Sequence, residues 1–414
     1  MSTEFRAIRE AEQEQCLDLW CAAFRSDSRA YFERYFYGDV EWLPYYTQVA
    51  VVDGKVVSAV TICKRTVACG DLRLTMGGIG NVATLPDYRG HGYNTECLKR
   101  AIAIMEADAM DFSLLGTGIN AYYARVGFAT LPVEHLHGTI RADFAPRSTT
   151  LPSPEARERG QGVRADCTVR PATADDLPAV RAIYDAYNRT RPIAVVRDEA
   201  YWRGWVRISP ESVPDTLLVA IGPEGEVLGY VRHQIHRYGG YADVSELGAR
   251  PEGEAETTAA LLEAAAARIQ AAGEQSLYFS IALEPTVLSA VDGIVEARQW
   301  QTRTGGMVRL LHRDNLLRSV AMGLNELWIA AGRPRGAVTF ETPYGPTRLD
   351  ANGAFLSVEP VEDATGALPQ AAFFGLLFGL LPAEQATPDA ALHPLLSTLF
   401  PPQAFIYYWN GDGF

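Results

Sequence analysis

One stretch constrains this chain more than any other: residues 80–94, which read Gly-Asn-Val-Ala-Thr-Leu-Pro-Asp-Tyr-Arg-Gly-His-Gly-Tyr-Asn. Val82 and Thr84 suit a strand, and Pro86 ends it because proline cannot donate to a ladder. Gly90 and Gly92 let the backbone approach a ligand with no Cβ in the way. Behind them Cys97, Leu98, Ala101, Ile102 and Met105 recur at helical spacing, with Glu96, Lys99 and Arg100 facing away. Strand, glycine turn and helix together aim the first helical N–H groups outward, where they lack internal partners and the helix dipole adds positive charge. That is an anion site suited to a pyrophosphate. Val82, Ala83, Thr84, Arg89, Gly90, His91, Gly92, Tyr93, Asn94 and Thr95 are its candidate binding residues. The loop is no P-loop, which ends Gly-Lys-Ser/Thr, and no Rossmann fingerprint, which lacks the intervening Arg.

At 414 residues the chain is too long for one ordinary core and predicts two or three domains. Its 48% hydrophobic and 21% charged residues are those of a soluble globular protein. The net charge of −13 argues against nucleic acid or an anionic membrane as partner, and is compatible with a cationic amine. Residues 1–11 hold no apolar signal region, and the apolar run 371–381 is about half the length a membrane span needs. A cytoplasmic location is expected. The six cysteines show no framework spacing and read as free thiols, Cys97 as a core residue. His135 and His137 lack the companions a metal site needs, so no metal is expected.

A Pro/Ser/Thr-rich and then charge-rich stretch, residues 146–165, reads as a linker. Beyond it the chain restarts: Thr168-Val-Arg170 leads into an amphipathic helix as Phe5-Arg-Ala-Ile-Arg9 does, and a second strand–turn–strand echoes the one around Asp53-Gly54. Arg9 with Arg170, Gly54 with Gly225 and Pro86 with Pro251 give offsets of about 160 to 170 residues, the mark of two related α/β domains. The second copy reads Glu252-Gly-Glu254-Ala-Glu256 where the first has its glycine loop, so carboxylates stand where phosphates would sit. Residues 307–414 differ in character: a helix capped by Asp314, short strands near Val338, Thr347 and Phe355 with an Asn352-Gly353 turn, further helices, and a strand over 404–409. This is an α+β arrangement.

The glycine loop resembles the acyl-CoA motif of the GNAT superfamily, Val-x-x-x-Pro-x-x-Arg-Gly-x-Gly, through Val82, Pro86, Arg89, Gly90 and Gly92. The motif usually carries a small residue where this chain has Asn94. The order of an active domain, a degenerate copy and a sterol-carrier-protein-like end resembles the enhanced-intracellular-survival (Eis) family of N-acetyltransferases. The resemblance implies tandem GNAT folds, each a mixed, mostly antiparallel sheet flanked by helices. It divides the chain at 1–145, a linker 146–165, 166–306 and 307–414. It also implies a homo-oligomer, a ring-like hexamer.

Ala121-Tyr122-Tyr123-Ala124-Arg125-Val126-Gly127-Phe128 looks like that family's Tyr-x-Arg-Phe-Gly-Tyr segment, which puts Tyr123 in the general-acid position. On composition alone Tyr122 is an equal candidate. Gly118 and Ile119, just ahead, are expected against the acyl-CoA. In the family the C-terminal aromatic residue carries the carboxylate used as base, here Phe414. The resemblance thus implies direct transfer of acetyl from acetyl-CoA to the primary amine of a small cationic substrate, such as an aminoglycoside or a polyamine. Such an amine, with a pKa near 10.4, must lose a proton before it attacks. The terminal carboxyl, ordinarily near 3.5, needs burial or proximity to serve. A backbone N–H near residues 82–84 is expected to hold the oxyanion. Asp27, Phe36, Trp42 and Asp412 are the candidates for binding the amine, through charge and cation–π contact. The alternatives are an acyl-CoA-regulated lipid- or small-ligand-binding protein and a protein-lysine acetyltransferase.

Overall fold

The computed structural model of the chain describes residues 2–24, 29–146, 167–189, 191–208, 213, 216–236 and 241–403. The first unit contains β1 (Thr3–Ala7), α1 (Gln13–Phe24), α2 (Arg29–Glu33), β2 (Thr47–Val52), β3 (Lys55–Cys69) and β4 (Leu72–Thr84). It continues with α3 (Tyr93–Ala107), β5 (Phe112–Gly116), α4 (Asn120–Ala124) and β6 (Ala129–Thr130). The strand β7 (Val133–Thr139) follows. The second holds β8 (Thr168–Pro171), α5 (Leu177–Asn188), β9 (Pro192–Val195), α6 (Glu199–Gly204), β10 (Leu217–Ile221) and β11 (Val227–His236). It ends with β12 (Tyr241–Ala249), α7 (Glu254–Ala271), β13 (Ser276–Phe279), α8 (Pro285–Ile294) and β14 (Gln299–Arg303). Next comes β15 (Gly306–Leu310).

Two mixed, mostly antiparallel sheets result, flanked by helices as expected. The first runs β1-β2-β3-β4-β5-β15-β6, with β9 also paired to β3; the second runs β14-β7-β13-β12-β11-β10-β8. Each has one parallel pair, β4 with β5 and β12 with β13, and a helix, α3 or α7, supplies the crossover that a parallel pair needs. The ion pairs align the two copies, since Arg6 binds Glu12 at 2.8 Å and Arg170 binds Asp176 at 2.7 Å, each carboxylate also closing a capping box. Arg6, not Arg9, is therefore the counterpart of Arg170.

The sheets do not respect the segment boundaries at 145 and 306. β7, from the first segment, lies between β14 and β13, while β15 lies between β5 and β6. Each unit fills the other's penultimate place, a reciprocal strand exchange. Leu136 and Val308, the centres of the two exchanged strands, are fully buried. A second link between the units is Arg65, buried and paired with buried Asp39 at 2.9 Å inside the first unit, whose guanidinium lies 4.2 Å from the Trp205 ring centroid of the second. Burial raises the Asp39 pKa against the pull of Arg65.

The third unit has α9 (Asn315–Ala330), then a sheet β16-β17-β18 (Ala337–Phe340, Thr347–Asp350, Ser357–Pro360). Helices α10 (Gln370–Leu377), α11 (Ala383–Ala386) and α12 (His393–Leu399) follow. Phe355, expected in a strand, lies in the loop before β18 with 66% of its surface exposed. Phe374 and Phe378 bring their ring centroids to 5.6 and 5.9 Å of Phe112 in β5, seating this unit on the first sheet. The expected strand over 404–409 lies outside the described residues, and no described helix is long and apolar enough to cross a membrane.

Candidate active site

The site forms where β4 leaves β5. The two strands keep register only from Met76↔Phe112 to Gly78↔Leu114, while β4 runs on to Thr84, so the sheet splays beyond that point. On its other side β4 breaks register with β3 between Ala59 and Thr61, and Asn81 takes a positive φ of 51°. Two residues, Asn81 and Val82, oppose Val60; such a bulge bends a strand and re-aims its groups. Tight packing behind the splay holds it, since a Cβ on Gly77 would come within 2.3 Å of Met105 Sδ of α3.

The glycine loop follows. Gly90 and Gly92 have φ of 81° and 79°, a region glycine enters without strain, and nothing lies within 4 Å of where a Cβ would point. Gly92 caps α3. Among the described residues, no recorded hydrogen bond is donated by the backbone N–H groups of residues 90–95. Six such donors at and before the head of a fifteen-residue helix are suited to cradling an anion. Arg89 Nε donates to the Thr84 carbonyl at 3.3 Å, and Lys55 brings a second cation, its ammonium 5.5 Å from the Tyr88 ring centroid.

A cavity of about 550 Å³ opens over this cradle. Its wall includes Val82, Ala83, Thr84, Arg89, Gly90, Gly92, Tyr93, Asn94, Thr95 and Ile119, all expected there. Tyr122 and Tyr123 also line it, and Ala23, Phe24 and Tyr88 complete it. The sequence carried no signal for the first two of these three, since only the fold brings the end of α1 over the loop. His91 points elsewhere, stacking on Tyr93, and Gly118 lines a different cavity. A volume of this order suits a cofactor-sized ligand.

Tyr123 is 5% exposed, between Tyr122 and Phe128 at ring-centroid distances of 5.0 and 6.2 Å. Burial is the main reason its pKa is pushed up to about 12; Tyr122 adds to this and Thr117, hydrogen-bonded to the phenol, opposes it. A phenol so placed keeps its proton at neutral pH and is available there as a donor. The exchanged strand and the third unit steady the segment behind it: Arg309 Nε of β15 donates to the Val126 carbonyl at 2.8 Å, and Gln370 Nε2 of α10 to the Gly127 carbonyl at 3.0 Å. The Cys97 thiol, on the inner face of α3, is pushed up to about 12 by burial, the reverse of an activated nucleophile.

A second cavity, of about 610 Å³, lies where the exchanged strands cross. Thr117 and Gly118 of the first unit face Phe279, Ser280 and Ile281 of the second across it, with Glu134, His135 and Arg303 on its rim. Thr117, in the lining of this cavity, hydrogen-bonds the Tyr123 phenol in the lining of the first. Phe36 and Trp42, expected to bind an amine, are packing residues. Phe36 is 6% exposed and stacked on Trp20, and Trp42 lies edge-on to Phe36 with its Nε1 donating to Thr47 Oγ1 at 3.1 Å. Neither lines a described cavity. Asp27, Asp412 and Phe414 lie outside the described residues. Among the described residues no group of three or more His, Cys, Asp or Glu is placed to hold a metal ion.

Residues 4–131 match the model of an acetyltransferase (GNAT) domain. Over nearly the full length of both chains the fold is similar to three solved structures. One is a probable N-acyltransferase from Enterococcus faecalis, at 17% identity, covering 99% of this chain and 100% of that one, with a TM-score of 0.67. Another is a GCN5-related N-acetyltransferase from Kribbella flavida, at 18% identity, 100% and 98% coverage and a TM-score of 0.65. The third is Eis1 from Mycobacterium abscessus, at 14% identity, 100% coverage of both chains and a TM-score of 0.61. No curated protein sequence matches the chain. The protein thus carries a GNAT acetyltransferase domain and is an acyltransferase; such domains use acetyl-CoA.

Proposed function

We propose that this chain transfers acetyl from acetyl-CoA to the primary amine of a small cationic substrate, an aminoglycoside, a polyamine or a related amine, within one ternary complex. The observation that carries this reading is the row of N–H groups over residues 90–95, from which no hydrogen bond is donated among the described residues, beside a cavity that Tyr123 lines. The cradle would take the pyrophosphate, with Arg89 and Lys55 adding positive charge. Bound acetyl-CoA supplies the activated acetyl group.

Tyr123 would act as the general acid. Its raised pKa keeps it protonated at neutral pH, so that the phenol can offer its proton to the sulfur as the thiolate departs. The bulged edge at residues 81–84 would present backbone N–H to the developing oxyanion. The Phe414 carboxylate would act as base toward the ammonium. We assign the amine's approach to the second cavity, because Thr117 connects it to Tyr123 and Glu134 offers a cation a partner.

In this reading the second unit, whose α7 is capped by Gly253 at a φ of 70° but with Glu252, Glu254 and Glu256 around it, binds no coenzyme A and serves as scaffold and cleft wall. The third unit, one helix on a three-stranded sheet with further helices, fits the sterol-carrier-like likeness and would deliver the C-terminus. A cytoplasmic homo-oligomer, a hexamer by resemblance, completes the reading. The test is coenzyme A release across polyamines, aminoglycosides, arylamines and lysine peptides, with and without a short extension after Phe414. Release with small amines by the untagged chain alone supports it. Release with lysine peptides only, or full activity in the extended chain, contradicts the substrate class or the carboxylate.

A further inference from the structure

We infer that Asn94 is a positioning residue for the acid of this site, an inference that rests on the acetyltransferase reading above. The side chain stands in the first turn of α3 and faces three elements at once. Its Nδ2 reaches the Ala83 carbonyl and Ser58 Oγ, both at 3.3 Å, and the Ala59 carbonyl at 3.5 Å. Its Oδ1 accepts from the Tyr122 hydroxyl at 2.8 Å. Ser58 Oγ donates to the Ala83 carbonyl at 2.8 Å and lies 2.8 Å from Thr84 Oγ1.

The bulge is what makes this bridge useful. Where β3 and β4 lose register, carbonyl groups at the ladder's edge need other donors, and Asn94 supplies two N–H groups there. A small side chain, usual at this place in the motif, reaches none of these partners. The same carboxamide accepts the Tyr122 hydroxyl's hydrogen bond, and Thr95 Oγ1 lies 3.2 Å from that hydroxyl. Tyr122 therefore serves as a fixed wall, its ring T-shaped against Tyr123 at 5.0 Å. One side chain thus ties the strand edge that meets the thioester to the helix that carries the acid. Removing it loosens the relation between them while the backbone donors of the cradle stay in place.

A double-mutant cycle tests this. Asn94→Ala should lower kcat by about tenfold or more, with the acetyl-CoA dissociation constant changed less than about threefold. Tyr122→Phe should do the same to a lesser degree, and the double variant should be no worse than Asn94→Ala alone within about twofold, since both act on one contact. Unchanged kcat, additive losses, or a loss confined to acetyl-CoA affinity overturns the positioning role. If Asn94→Ala does not fold, Tyr122→Phe carries the same split between kcat and binding. Should no amine support turnover in the wild type, the acetyltransferase reading falls. The cycle read on unfolding then tests the contact itself, and coupling below about twofold in the unfolding constant overturns it.

Discussion

Val308 pairs with Leu114 across the antiparallel ladder of β15 and β5, and both side chains are fully buried. The strand that completes the first sheet is thus made after the whole second unit, and the acid's segment is braced by Arg309 next to it.

A chain ending at residue 145 should consequently fail to fold. It would lose Met307, Val308 and Leu310, three buried side chains worth roughly 1.5–3 kcal/mol each, and leave the β5 edge open. Together that is comparable with a domain's entire stability. A soluble monomer of residues 1–145 with a cooperative thermal transition would contradict the strand exchange.

Gly92→Ala should weaken acetyl-CoA binding. The residue sits at a φ of 79°, where a Cβ costs about 1 kcal/mol of backbone strain and would point toward the ligand's phosphates. Calorimetry should show at least about a tenfold rise in Kd with a folded variant, a difference of about 1.4 kcal/mol. Unaltered affinity would remove the loop from the cradle.

The pH–rate profile should show no descending limb from the acid up to about pH 10, because burial pushes the Tyr123 phenol up to about 12 and its protonated form persists below that value. A limb below pH 9 that disappears in Tyr123→Phe would mean that the phenol is ordinary or activated.

Stability should fall in mild acid. His233 is 4% exposed, and burial, with Arg268 adding to it, lowers its pKa from 6.5 to about 4. His135, on the second cavity's rim, is lowered to about 4 by burial and Arg303. Between those values the unfolded chain binds protons that the folded chain refuses, so stability drops as pH falls from 6.5 toward 4, by about 1–3 kcal/mol for His233. Denaturation midpoints over pH 4–7 check this, and His233→Gln should flatten the slope.

The cradle was legible because its chemistry is local: two glycines, a proline and a helical stripe within one short stretch. That the segment of Tyr122 and Tyr123 lines the cavity was legible by its likeness, and the duplication by its repeated strand–turn–strand pattern. What escaped was set by tertiary structure. Nothing in residues 133–139 or 306–310 says which sheet each joins, since each is a short strand that fits either. Phe36 and Trp42 looked like amine ligands because aromatic type alone does not distinguish a core ring from an exposed one. Asn94 read as a slight departure from a motif; only the bulge opposite it shows what its carboxamide holds.

The account rests on one acid at one cradle. The most direct measurement is steady-state coenzyme A release with a responsive amine, comparing wild type and Tyr123→Phe, both with a free C-terminus, alongside acetyl-CoA binding by calorimetry. The account predicts a fall in kcat of about a hundredfold or more with Kd held within about twofold. Wild-type turnover in Tyr123→Phe would contradict it.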